Sequence, residues 1–368
     1  MRKLLIINPR SMTSQMSYLH HLNYLSQNTS VELFLICESV KKELLDNRVS
    51  VKVVPRNGNR LFYAFKIYSV AAHLIIKQKI DWVISSYGHF NALLVFFLLK
   101  ARYTKRWTGI LFYDLRSASV SGVMDALQDT LFSIESWFYD YKMAVSEEAA
   151  EKVFGKRKSL ESFVSGVACF SKKDFENDKN IINRIEQIKA LYQICDDTLV
   201  LLYIGTLSHR DLDKFIEIFE FDNNDYCFFI IGDGDRNSEA RLSNEIKRKH
   251  LSQRIHLLGR LSYTELPVFL SIANFGIAYV PDHKSLTSQP FTKIQEYAEF
   301  EVIVLASDNL KNNRYVGSAD VLFLSEYNSI AKLKVFLKQN KDKLYKKKIV
   351  SNTWSQLSEK LFSYLKSI

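Results

Sequence analysis

The sequence is poor in the residues that punctuate a chain, with 12 glycines, 5 prolines and 4 cysteines in 368 residues. The cysteines, Cys37, Cys169, Cys195 and Cys227, show no CxxC or Cys/His spacing. That excludes a disulfide framework, argues against a zinc site, and leaves the reduced thiols of a cytoplasmic protein as the default. Long apolar runs are also lacking. The longest, Ala92–Leu99, has eight residues, against the roughly 20 needed to span a bilayer. The apolar stretch of MRKLLIINPR stops at Asn8, too early for the core of a signal peptide.

What is present describes a folded chain. Hydrophobic residues make up 47% and charged residues 24%, ordinary globular usage that excludes disorder. The formal net charge is +10, and residues 1–170 carry 22 Lys and Arg against 14 Asp and Glu, so the first half holds most of the excess. Such a balance permits nucleic acid, an anionic membrane or a phosphorylated substrate as partner. The aromatic residues follow no RNA-recognition pattern, which disfavours nucleic acid.

Short Ile, Val, Leu and Phe runs alternate with amphipathic stretches, the pattern of parallel strands covered by helices on both faces. Strands are predicted at 3–8, 31–37, 51–54, 82–86, 107–113, 142–145 and 162–164, and again at 199–204, 227–231, 255–258, 275–279, 302–306 and 321–324. The polar stretch 171–197 between the two sets reads as a linker and helix. Residues 1–170 are therefore expected to form one Rossmann-like domain and 171–352 a second, with the apolar stripe of 353–368 docking back on the first. Ligands of such sheets bind beyond the C-terminal ends of the strands, so function is expected in a cleft between the domains.

Four segments of the second half place chemistry at strand ends. In LLYIGTLSHRDLDKF, Gly205 and Thr206 follow a strand, and Arg210 or Lys214 can meet phosphate near a helix start. FFIIGDGD sets Gly232 and Gly234 after the next strand, without the third glycine of a dinucleotide fingerprint. RIHLLGRLS puts Gly259 and Arg260 at a third strand end, where main-chain groups can pair with a base. In SLTSQPFTKIQEYAEF, Pro290 precedes a helix start at Thr292, and Lys293 and Glu296 share a face three residues apart. That carboxylate can bind ribose hydroxyls and that lysine a diphosphate.

Taken in order, YIGTLS, IGDGD, LLGRLSYTEL, PFTKIQEYA and the closing TWSQLSEKLFSYL resemble the nucleotide-sugar-binding half of glycosyltransferase family 4, retaining enzymes of the GT-B fold. In the first half, ILFYDLR, ESWFYDYKMAVSEEAAEKV and SFVSGVACFSKKDF resemble further segments of that family. The resemblance implies two Rossmann-like domains and transfer of a sugar from a nucleoside-diphosphate sugar to a glycan hydroxyl with retention, in surface polysaccharide or glycoconjugate synthesis. It implies a peripheral position on the cytoplasmic membrane face with a lipid-linked acceptor, and neither cofactor nor metal, the nucleotide-sugar being the donor substrate.

It also assigns roles. His89, Arg210 and Lys293 are the catalytic candidates. Gly205, Thr206, Gly232, Gly234, Gly259, Arg260, Ser288, Thr292 and Glu296 are expected to hold the donor, and Arg10, Ser11, Thr13, Asp114 and Arg116 the acceptor. Two departures stand out. Ser288 occupies a position where the family often has a glutamate, and the first loop, NPRSMTSQ, lacks the usual glycines. An inactive scaffold that still binds nucleotide is therefore the alternative. Two basic, apolar stretches, 60–79 and 93–107, can lie against anionic lipid or be buried helices with solvated flanks.

Overall fold

In the computed structural model, the described residues are 1–12, 16–86, 90–116, 123–166, 168–208, 210–213, 216, 226–279, 292–307, 321–344 and 352–368. They form two compact units, Met1–Val167 with Thr353–Ile368, and Ala168–Asn352.

The first unit is built on a seven-stranded sheet: β1 (Lys3–Ser11), β2 (Glu32–Ser39), β3 (Val49–Val53), β4 (Trp82–Ser86), β5 (Ile110–Leu115), β6 (Tyr141–Ala144) and β7 (Phe163–Val164). Its order is β3-β2-β1-β4-β5-β6-β7, parallel throughout. Both faces are covered, which is why its strands are apolar without alternation. Leu5 and Ile7 pack under the helices Arg60–Gln78 and Ala92–Tyr103, while Leu4 and Ile6 pack beneath Met16–Asn28 and Trp354–Ser367.

The last of those helices starts with a reciprocal cap between Thr353 and Gln356 and buries Leu357, Leu361 and Leu365. Trp354 stacks on His20 at 4.8 Å, and Ser358 Oγ lies 2.8 Å from His21 Nδ1. The chain end is thus part of the first unit.

The second unit repeats the architecture with β8 (Leu199–Ile204), β9 (Tyr226–Ile231), β10 (Ile255–Gly259), β11 (Phe275–Ala278), β12 (Ile303–Ala306) and β13 (Val321–Phe323). Its order is β10-β9-β8-β11-β12-β13. Along β8, Leu201 and Tyr203 enter one core while Leu202 and Ile204 enter the other. In each sheet the winding direction reverses beside the first strand, between β1 and β4 and between β8 and β11. Parallel sheets of this kind bind ligands outside the carboxyl ends of the strands at that reversal.

Candidate active site

Three expected glycines converge where β8, β9 and β10 end. The Gly205 N–H donates to the Ile231 carbonyl at 3.0 Å, and the Gly232 N–H to the Gly259 carbonyl at 2.9 Å. Glycine is required at position 232: its φ is +146°, and a Cβ there would lie 1.7 Å from the Gly205 oxygen. The Leu207 N–H and the Thr206 hydroxyl both donate to the Asp233 carbonyl, at 2.9 and 3.4 Å. Arg260 reaches the Asp233 carboxylate at 3.6 Å. Gly205, Thr206, Gly232, Gly234, Gly259 and Arg260 are therefore brought together as a stack of turns held by main-chain bonds. Asp233, which sequence reasoning did not single out, joins Thr206, Leu207 and Arg260; its place inside IGDGD was the available signal.

Gly234 is engaged within the turn. Its N–H donates to Glu239 Oε1 at 2.8 Å, and Asp235 caps the following helix, Arg236–Arg248, by accepting from the Ser238 N–H at 2.9 Å. That helix start is closed by its own carboxylates. Gly234 instead shapes the turn, since a Cβ there would lie 2.8 Å from the Leu207 Cβ.

The helix Thr292–Glu299 carries the next group. Glu296 is buried, and Lys293 Nζ donates to its Oε2 at 2.6 Å. Tyr297, one residue on, fixes the helix to the sheet. Its hydroxyl accepts from the Ile204 N–H at 3.0 Å and donates to the Leu202 carbonyl at 3.2 Å. The ring fits because β11 has glycine opposite: a Cβ at Gly276 would stand 2.3 Å from Tyr297 Cγ. Tyr297 is thus a positioning residue that the EY pair contained without showing its task. Arg210 is half-buried, forms no ion pair among the described residues, and lies near Tyr203. Burial pushes the Tyr203 phenol up to about 12, and the Arg210 charge opposes that shift.

In the first unit, Arg10 is exposed and Ser11 Oγ accepts from Ser39 Oγ at 2.9 Å, both at the end of β1. Asp114 and Arg116 bond to each other at the end of β5. Asp114 is fully buried and accepts from the Tyr18 hydroxyl at 2.5 Å and from Arg116 Nε at 2.7 Å. The guanidinium also lies over the Tyr18 ring at 4.7 Å and reaches Ser165 Oγ at 3.4 Å. Burial works against the Arg116 charge, but Asp114 more than restores it, so its pKa lies above the ordinary value. Asp114 and Arg116, expected at the acceptor, thus form an internal ion pair that ties the end of β5 to the Met16–Asn28 helix.

At the end of β4 a second buried network forms. Asn91 accepts from the Tyr68 hydroxyl and donates to the Ser86 carbonyl at 3.1 Å, and the Asn91 carbonyl accepts from the Tyr139 hydroxyl at 3.0 Å. Glu135 lies beside it and is pushed up to about 7 by burial, against the pull of the Phe90, Asn91 and Ala92 N–H groups. His89, Thr13 and Ser288 lie outside the described residues, as does the side chain of Thr292. Among the described residues, no cluster of three or more His, Cys, Asp or Glu side chains is placed to share a metal ion.

The glycine turns and the Lys293–Glu296 helix lie within one stretch of matched sequence. Residues 184–349 match the family model of glycosyl transferases group 1. No curated protein matches the sequence. Solved structures match over the full length. The Anabaena Alr3699/HepE structure in complex with UDP and glucose aligns with a TM-score of 0.70 at 13% identity, covering 100% of both chains. A glycosyltransferase from Rickettsia africae aligns at 0.69 and 12% identity, covering 100% of this chain and 98% of that one. The UDP-GlcNAc 2-epimerase of Neisseria meningitidis bound to UDP-GlcNAc aligns at 0.60 and 13% identity, covering 100% of each. The fold is therefore GT-B, two Rossmann-like parallel-sheet units, and it is shared by enzymes with different reactions.

Proposed function

We propose that the protein is a retaining glycosyltransferase that moves a sugar from a nucleoside-diphosphate sugar to a hydroxyl of a lipid-linked glycan, in surface polysaccharide or glycoconjugate synthesis. The observation that carries this reading is the pair of half-buried Lys293 and buried Glu296, pinned to β8 through Tyr297 beside the stacked glycine turns, inside the segment that matches group 1. In the proposed complex Glu296 accepts from ribose hydroxyls, while Lys293 and Arg210 face the diphosphate. The presence of UDP in the Anabaena structure favours a UDP-sugar as donor.

In the reaction, the bond from the anomeric carbon to the diphosphate oxygen breaks and its electron pair leaves with the diphosphate. The acceptor oxygen bonds to that carbon from the same face, and its proton passes to the departing diphosphate oxygen. Negative charge grows on the diphosphate in the transition state. Cations and N–H donors already fixed in place stabilise it without reorganising, which is where such a site gains most of its rate. His89 is carried as a proposed catalytic residue on the sequence alone.

Two rivals are separated by one experiment, incubation of the protein with a UDP-sugar with and without a lipid extract. Sugar moved onto lipid supports transfer. Epimerisation of UDP-GlcNAc at C2, independent of lipid, would instead indicate the activity named for the Neisseria enzyme. Thermal stabilisation by UDP with no turnover would identify an inactive scaffold. Within the proposed site, Glu296→Ala is expected to weaken UDP affinity about 10–100-fold, the worth of charge-assisted hydrogen bonds. Equal affinity in this variant and the parent would remove Glu296 from the site.

A further inference from the structure

The first unit presents an apolar surface where a solvated one is expected. On the helix Arg60–Gln78, Leu61, Phe62 and Phe65 are exposed, and on its neighbour Ala92–Tyr103 so are Phe96, Leu99 and Tyr103. The helices meet edge to edge at Phe65 and Phe97, 5.0 Å apart, and Phe97 contacts its chain neighbour Phe96 at 6.0 Å. Burial elsewhere is not lacking. Tyr63, Ala64, Ile67, Leu94, Val95 and Leu98 face the sheet, so each helix has an apolar stripe on both sides. Contiguous exposed apolar surface on this scale marks an interaction site.

Its charge selects the partner. Residues 47–113 contain 11 Lys and Arg and one acid, Asp81, and that acid is tied to Arg2 at 3.0 Å and to the Lys3 N–H at 2.8 Å. Exposed Lys66 stands one residue after Phe65, and exposed Lys100 follows Leu99. A second copy of this face would meet like charge, which disfavours self-association. Aromatic rings flanked by long basic side chains suit a bilayer instead, the rings entering the acyl boundary while the ammonium groups stay among anionic headgroups. No described helix is long and apolar enough to cross a membrane, so the contact is superficial.

We infer that the helices Arg60–Gln78 and Ala92–Tyr103 form a docking face for an anionic lipid bilayer, with Phe62, Phe65, Phe96 and Leu99 inserted. The inference extends the lipid-linked acceptor reading above by naming the surface. It is tested on vesicles free of glycan, so that its failure is distinct from failure of sugar transfer.

The test is co-sedimentation of the full chain with vesicles of phosphatidylcholine alone or mixed with phosphatidylglycerol. Binding to the mixed vesicles is expected to exceed binding to the neutral ones about tenfold at low salt, and to weaken as salt rises. The triple variant Phe62→Ser, Phe65→Ser, Phe96→Ser should lose about tenfold or more in partition, from lost apolar insertion. The variant should still unfold cooperatively, its midpoint lowered only by the loss of the Phe65–Phe97 and Phe96–Phe97 ring contacts. Lys66→Glu with Lys100→Glu should abolish the preference for the anionic vesicles. A parent that stays in the supernatant, a triple variant that sediments as well as the parent, or a parent dimer that the triple variant dissociates would each overturn the inference.

Discussion

At Gly232 the main chain holds φ at +146° while the Gly205 carbonyl fills the space a side chain would need. Gly232→Ala therefore combines a strained backbone with a clash against main chain. It is expected to cost about 3 kcal/mol or more, read as a lowered unfolding midpoint with loss of UDP stabilisation. The Asp114–Arg116 pair makes a different case at the same scale. Replacing Asp114 by Ala leaves a guanidinium buried without its counter-charge and the Tyr18 hydroxyl without its acceptor, a loss of about 3–5 kcal/mol. A midpoint unchanged in Asp114→Ala would show the pair to be dispensable. The sequence made these residues conspicuous through DLR after a strand, but it held no sign of Tyr18, 96 positions away, which turns the pair inward. The glycines were easier to read, because few exist and four stand at the ends of consecutive strands.

Two elements respond to pH in opposite directions. The seam between the helices Met16–Asn28 and Trp354–Ser367 buries His20 and His21 neutral; burial lowers His20 from the ordinary 6.5 to about 4, and pushes His21 down as well. The unfolded chain takes up these protons as pH falls through 6.5, the folded chain only near 4, so stability at this seam is lost progressively as pH falls between those values. Protection factors for hydrogen exchange along residues 354–367, referred to the intrinsic rate at each pH, should fall in that window, and unchanged protection factors at pH 4.5 would contradict it. Glu135 has the reverse sign. Its folded pKa of about 7 lies above the unfolded value of 4.5, so the stability it contributes is present at low pH and lost as pH rises through 7. Glu135→Gln is therefore expected to gain about 2 kcal/mol at pH 8 relative to the parent, with the difference vanishing below pH 4.5. The terminal helix was visible as a stripe of Trp354, Leu357, Leu361 and Leu365, since helical periodicity is a local property. Its histidine partners were not, because they stand more than 300 positions away.

For the whole molecule, the alternation of apolar runs sufficed for two parallel sheets. Each observed strand overlaps an expected one, because strands buried on both faces must be apolar throughout. The largest discrepancy at a strand start is β5, expected from Trp107 but beginning at Ile110. Trp107 is held back by its own indole, which donates to the Ile80 carbonyl at 2.6 Å, and Gly109 packs against that ring. Function was less legible than fold, since the same architecture serves a transferase and an epimerase. What distinguishes them is which groups meet the donor's sugar, and those depend on a few side chains brought together from separate strands. The basic excess of the first half was legible as a number. Its meaning came only with the exposure of Phe62, Phe65 and Phe96 beside Lys66 and Lys100. The central claim is most directly tested by following radiolabelled UDP-sugar in the presence of lipid extract: label entering the lipid fraction in the parent, and falling about 10–100-fold in Glu296→Ala at limiting donor, is the expected result. Label that stays wholly in the aqueous fraction in both proteins would contradict it.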